Sequence, residues 1–200
     1  MSWFPTSGRS FPWRHWEDSY RLTVVEILLQ RTRAETIASF APGFFNRYPD
    51  WQALAVADAV DVQVILRPIG LHVRRAASLT ALAVAVVERG VDPASREAPG
   101  VGQYVSRAVR VASHNAPAAM IDANWVRVLR RAFGGAWMSD YRYDVRLQSI
   151  ADAVVHAGGD ARAVNWAVLD IGAVHCRPRQ PLCRSCPLMD HCEHGVAGAL

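Results

Sequence analysis

An all-α protein is what this sequence predicts, on three observations. Apolar residues recur at helical spacing in several segments, and no run alternates apolar and polar residues between turn signals as a half-buried strand would. Pro and Gly cluster where the segments break. In order, Leu22 to Thr32 carries an apolar face, Trp51 to Ala59 is Ala-rich, and Ala76 to Val87 reads as a buried helix with few polar positions. Val105 to Ser113, Ala123 to Phe133, Val145 to His156 and Ala161 to Val174 continue the series. The expected breaks are Pro42-Gly43, Pro68 to Gly70, Pro93, Pro99 to Gly102, Gly134-Gly135 and Gly158-Gly159. The sum is about ten short helices, with no internal repeat and no low-complexity tract. The first ten residues and Gly195 to Leu200 are expected to be loose.

A chain of 200 residues, 51% of them hydrophobic, has room for one large domain or two small ones with an ample core. Its longest apolar stretch, Leu79 to Val87, is interrupted by Thr80 and far too short to cross a bilayer, so a soluble globular protein is expected. The net charge is +4, and all 22 basic side chains are Arg. A GC-rich genome is the bland source of that bias. Whatever its origin, the absence of Lys removes side-chain amine chemistry, while the planar Arg fork suits phosphate oxygens.

Chemistry concentrates first in Cys176, Cys183, Cys186 and Cys192, a C-x6-C-x2-C-x5-C array within 17 residues. Four thiolates so close in sequence suit a polynuclear centre of the 4Fe-4S type. Zinc is the rival; structural zinc usually draws on two C-x2-C pairs, and only Cys183 and Cys186 form one. Two disulfides are the weakest reading. The opening MSWFPTSGRS has neither a basic n-region nor an apolar h-region, so the cytoplasm, beside the nucleoid, is the expected compartment. A second motif, Pro99-Gly100-Val101-Gly102, lies between helical segments. Gly100 and Gly102 permit a tight turn into a helix N-terminus, where free N–H groups attract phosphate; alone, such a turn is most often only a turn.

With Phe11 to Arg14 (FPWR), Val25 to Thr32 (VEILLQRT), Gly70 to His72 (GLH), the PGVG turn, Met120 to Arg131 (MIDANWVRVLRR) and the four cysteines in that order, the chain resembles the helix-hairpin-helix DNA glycosylases of the endonuclease III and MutY group. The resemblance runs from residue 11 to 192. Around Glu26, Tyr104 and Asp122 to Asn124 it is most similar to thymine glycosylases acting on G·T and G·U mismatches. It implies base excision repair on double-stranded DNA by a monomer of two lobes with DNA between them. One lobe is a helical barrel over residues 21–117; residues 1–20 with 118–200 form the other, which carries the cluster. The target nucleotide is flipped out, because its glycosidic bond is out of reach inside the stack.

The resemblance makes Asp122 the catalytic carboxylate, stabilising the oxocarbenium-like sugar and orienting water; an N-cap of the following helix is its structural alternative, and both roles can coexist. Glu26 sits in an apolar run, where an acid is seldom buried without a partner or a purpose; an exposed helix edge is the other reading. In adenine glycosylases the matching Glu protonates the purine, whereas a pyrimidine offers its imide edge. Tyr104 stands where bifunctional relatives carry the Schiff-base lysine, or is simply a core aromatic. Without lysine only the N-terminal amine remains for such chemistry, so a monofunctional enzyme is expected. Gln30 and Leu71 match residues that plug the gap left by the flipped nucleotide, or are ordinary surface or core. Arg177 and Arg179 suit phosphates or are merely solvated. His175 and His191 flank cysteines, yet four thiolates already complete a ligand set.

The reading is thus a glycosylase removing thymine or uracil opposite guanine. Its in-class rival removes adenine opposite 8-oxoguanine; against that, the chain stops eight residues past the last cysteine, where MutY-type enzymes continue into an extra domain. A non-catalytic, cluster-bearing DNA-binding protein is the rival from another class, disfavoured by the presence of both Glu26 and Asp122.

Overall fold

The computed structural model describes residues 3–197, and among them every regular element is helical. The α-helices are α1 (Trp3–Ser7), α2 (Ser19–Leu29), α3 (Ala34–Arg47), α4 (Trp51–Ala55), α5 (Ala59–Leu66) and α6 (His72–Arg89). They continue as α7 (Gln103–His114), α8 (Ala123–Phe133), α9 (Val145–Gly158), α10 (Ala161–Val174) and α11 (Glu193–Ala197). Short 3-10 turns stand at Pro12–His15, Arg67–Ile69, Cys183–Ser185 and Met189–His191. No helix among the described residues is long and apolar enough to cross a membrane. The described residues fall into two compact units, one running up to Arg9 and resuming at Asn115, the other Ser10–His114.

The Ser10–His114 unit is built round α2. Residues Leu22 through Leu28 are buried on every side, as an apolar helix without a polar face requires. Helices α3, α6 and α7 pack on α2, and α4 and α5 pack on α6. Phe11, Trp13 and Tyr20 are buried in the same core, which is why residues 10–20 group here and not with the cysteine-bearing part as expected. Their aromatic area is too large to leave in water. Gly90 closes α6 at φ +62°, with Gly90 N–H donating to Val86 O, the bond of an αL cap, and Val91 N–H donating to Ala85 O. Gly100, at φ +75°, serves both the turn and close packing, since a Cβ there would lie 2.8 Å from Ser78 Cβ on α6.

Three helical expectations change. Pro42-Gly43 lies inside α3 and does not break it, because Ile37, Ala41, Phe44 and Phe45 bury one face while Pro42 and Gly43 face solvent. Water can reach the carbonyl that Pro42 leaves without an amide partner, and packing outweighs the propensity cost of about 3 kcal/mol. The expected Trp51 to Ala59 helix is two, separated where Asp58 turns out to cap α5 through Val60 and Asp61 N–H. Helix α6 begins four residues earlier than Ala76.

In the other unit, α10 packs on α8 and α9, and α11 on α8. Asp122, Asp144 and Asp160 cap α8, α9 and α10 in turn. Of the first ten residues, expected to be loose, 1 and 2 lie outside the described residues, Trp3–Ser7 is helical, and Arg9 donates from its backbone N and its Nε to Asp170, at 2.8 Å each. Of the other end expected to be loose, Gly195 is buried within α11, and 198–200 lie outside the described residues.

Candidate functional site

Asp122, directly before α8, is held by three hydrogen bonds. Its Oδ1 accepts the N–H groups of Asn124 at 2.8 Å and Trp125 at 2.9 Å, and its Oδ2 accepts Asn124 Nδ2 at 2.8 Å. Burial pushes this carboxyl above the ordinary carboxylate range, against those hydrogen bonds and the nearby Arg127 charge, which pull it down. The approach to Asp122 is equally fixed. Asn165, fully buried on α10, accepts Met120 N–H at 2.6 Å and donates to Ala118 O and Ala161 O. A Cβ on Gly172 would sit 2.6 Å from Asn124 Cβ, so a glycine is what lets α10 lie against the start of α8.

Arg127, on the next turn of α8, joins this carboxylate to the cysteine loop. It donates to Asn124 Oδ1 at 2.7 Å, to Gly172 O at 2.7 Å and to Cys176 O at 2.5 Å. The bond to Asn124 Oδ1 turns that amide so that its Nδ2 faces Asp122. Arg131, one turn further, donates to Arg177 O at 2.7 Å, to Pro178 O at 3.1 Å and to Cys176 Sγ at 3.4 Å.

All four cysteines are free, partly buried, and line one small cavity together with Arg131, His175 and His194. Burial and the three neighbouring thiols push the Cys186 thiol up; so close a set of thiolates calls for a cation. No three His, Cys, Asp or Glu side chains among the described residues converge tightly enough to grip one ion. Four thiols lining one shared cavity are a donor set that a 4Fe-4S cluster would accept. Of the two flanking histidines, His175 lines the cavity and His191 is exposed. Arg177 and Arg179 are exposed, with Arg177 Nε bonded to Val174 O at 3.0 Å.

The remaining candidates belong to the Ser10–His114 unit. Glu26 is 6% exposed in the middle of α2, which excludes the exposed-edge reading. Tyr104 is half-buried in the first turn of α7, against the apolar core that α2 also builds. Gln30 is exposed at the C-terminal end of α2, and Leu71, 46% exposed, precedes α6. Next to Gln30, Arg31 has φ +59°, and Leu71 itself has φ +51°. Each left-handed non-glycine residue costs about 1–2 kcal/mol, so both tips are held in strained shapes. Gly102 is exposed with open space where a Cβ would be, leaving the α7 N-terminus approachable.

The sequence reading missed Asn124, Arg127, Arg131, Asn165 and Arg75. Asn124 and Arg127 lie two and five residues past Asp122, the one available hint. Arg75 carries no hint: its guanidinium is buried, bonded to Gln30 O and to Gly70 O just before Leu71, and burial pulls its pKa down.

A family model described as HhH-GPD superfamily base excision DNA repair protein matches residues 24–158. The chain is 34% identical to a protein of Methanothermobacter thermautotrophicus named thymine/uracil-DNA glycosylase, over 97% of this chain and 90% of that one. Among solved structures, a thermostable thymine-DNA glycosylase superposes with a TM-score of 0.89 at 33% identity, covering 98% of this chain and 93% of that one. A non-covalent endonuclease III–DNA complex, 18% identical, shares the fold with a TM-score of 0.81 over 99% of this chain and 92% of that one.

Proposed function

Because this chain belongs to the HhH-GPD superfamily of base excision DNA repair proteins, we propose that it is a DNA glycosylase releasing thymine or uracil mispaired with guanine. The observation that carries this reading is the end-to-end likeness to a relative named thymine/uracil-DNA glycosylase, with a half-buried, rigidly held carboxylate at Asp122. The target nucleotide leaves the stack, most cheaply where it is wobble-paired. Its glycosidic bond then breaks with the electron pair departing on the base, leaving positive charge on the sugar. Asp122 stabilises that charge; water adds to the sugar carbon and surrenders its proton to the carboxylate. Glu26 meets the imide edge of the flipped pyrimidine, and Tyr104 stacks against or bonds it. Gln30 and Leu71 fill the vacated space in the duplex. The turn at Gly100 and Gly102, with Arg177 and Arg179, meets phosphates. With no lysine in the chain, strand cleavage through a side-chain Schiff base has no amine to use, so the enzyme is monofunctional.

Cys176, Cys183, Cys186 and Cys192 hold a 4Fe-4S cluster. When bound, the cluster ties four chain positions to one point and carries the Arg177–Arg179 segment; base release itself is the work of the side chains above. The testing experiment is single-turnover excision from G·T, G·U, T·A and A·8-oxoguanine duplexes at one salt concentration, since phosphate contacts make binding salt-dependent. Fast release from G·T and G·U with slow release from the other two is expected. Faster adenine release would replace this reading with the adenine-excising one, and binding without any excision would favour a non-catalytic role.

A further inference from the structure

We infer that Arg75 is a positioning residue that locks the Gln30 and Leu71 tips into the one arrangement able to enter a duplex. This rests on the reading that Gln30 and Leu71 fill the gap left by the flipped nucleotide. Arg75 is 4% exposed in the first turn of α6. A cation there opposes the dipole of its own helix and gives up its water, so local energetics do not explain it.

Its bonds do. Arg75 NH2 donates to Leu28 O at 2.9 Å, Gln30 O at 2.6 Å and Thr32 Oγ1 at 2.7 Å, all at the C-terminal end of α2. Its NH1 donates to Ile69 O at 2.8 Å and Gly70 O at 2.7 Å, directly before Leu71. Among the described residues no carboxylate pairs with it; its ligands are backbone carbonyls and one hydroxyl. One planar fork therefore gathers the two separate loops whose tips are left-handed at Arg31 and at Leu71. Released from it, each tip can relax to a commoner backbone shape and swing its side chain out of register. Lysine cannot replace the fork, because one ammonium has three donors for five acceptors.

The test uses the whole protein, a G·T duplex carrying 2-aminopurine beside the target thymine, and single-turnover excision with fluorescence. Arg75→Lys is measured alone and in a Gln30→Ala/Leu71→Ala background, with melting temperatures recorded. Acting through the two tips, Arg75→Lys lowers excision and the unstacking signal about tenfold in the parent and less than twofold in the double variant, the non-additivity of coupled residues. An equal factor in both backgrounds marks Arg75 as merely structural and overturns the inference, as does wild-type excision by Arg75→Lys. If that protein does not fold, Thr32→Val removes one acceptor and leaves the cation; the same dependence on background is expected, and its absence overturns the inference. Wild-type excision by Gln30→Ala/Leu71→Ala refutes instead the gap-filling reading on which the inference stands.

Discussion

Replacing Asp122 by Asn separates chemistry from capping. Asn caps a helix about as well as Asp, and its oxygen can still accept the Asn124 and Trp125 N–H groups. The new amide nitrogen, however, meets Asn124 Nδ2 where Oδ2 accepted it at 2.8 Å. Two donors then face each other, at a cost of about 1–3 kcal/mol. At about 2–4 °C per kcal/mol for a chain of this length, the melting temperature falls by several degrees. Loss of the negative charge beside the sugar cation costs about 10²- to 10³-fold in base release, the scale of removing one electrostatic catalyst. The two effects come apart in the exchanged variant Asp122→Asn/Asn124→Asp. There the amide at 122 donates to the carboxylate at 124, which still accepts from Arg127, so the melting temperature recovers while excision does not. Single-turnover release from a G·T duplex and calorimetric melting read the two quantities. Wild-type excision by Asp122→Asn makes Asp122 a cap only, and excision restored by the exchange shows that the position of the charge is immaterial; either result refutes the argument.

Burial raises the Asp122 carboxyl, so the ionised form is lost at a higher pH than for an ordinary aspartate and the acid limb of kcat/KM against pH lies above the usual carboxylate range. Asn124→Ala removes a bond that favours the charged form, so this limb moves further up; a downward shift contradicts the assignment. The anaerobically purified protein contains about four iron and four sulfide per chain, and Cys186→Ser loses both by metal analysis, whereas stoichiometric zinc without sulfide removes the cluster. Borohydride traps no covalent DNA adduct and the product strand stays whole until alkali is added; efficient trapping by the wild type implicates the N-terminal amine.

Much of this was legible in the chain. Helical periodicity marked most of the core helices, because the face each buries is written in its own apolar spacing. The cysteine array, the absence of lysine and the Asp before an amphipathic helix are local statements that need no fold. Sequence reading stumbled where packing overrode propensity: α3 continues through Pro42-Gly43 because its buried face is worth more than one lost hydrogen bond. It also split residues 10–20 from the barrel, whose core they complete with Phe11, Trp13 and Tyr20.

What only the tertiary structure decided is the holding of the site. Arg127 reaches Cys176 across 49 positions, Arg75 reaches Leu28 across 47, and Asn165 reaches Met120 across 45. Most acceptors of Arg75 and Arg127 are backbone carbonyls, Thr32 Oγ1 and Asn124 Oδ1 being the exceptions. Each residue of any chain carries that group, so its use leaves no mark in the sequence; only folding selects which carbonyls converge on one buried guanidinium.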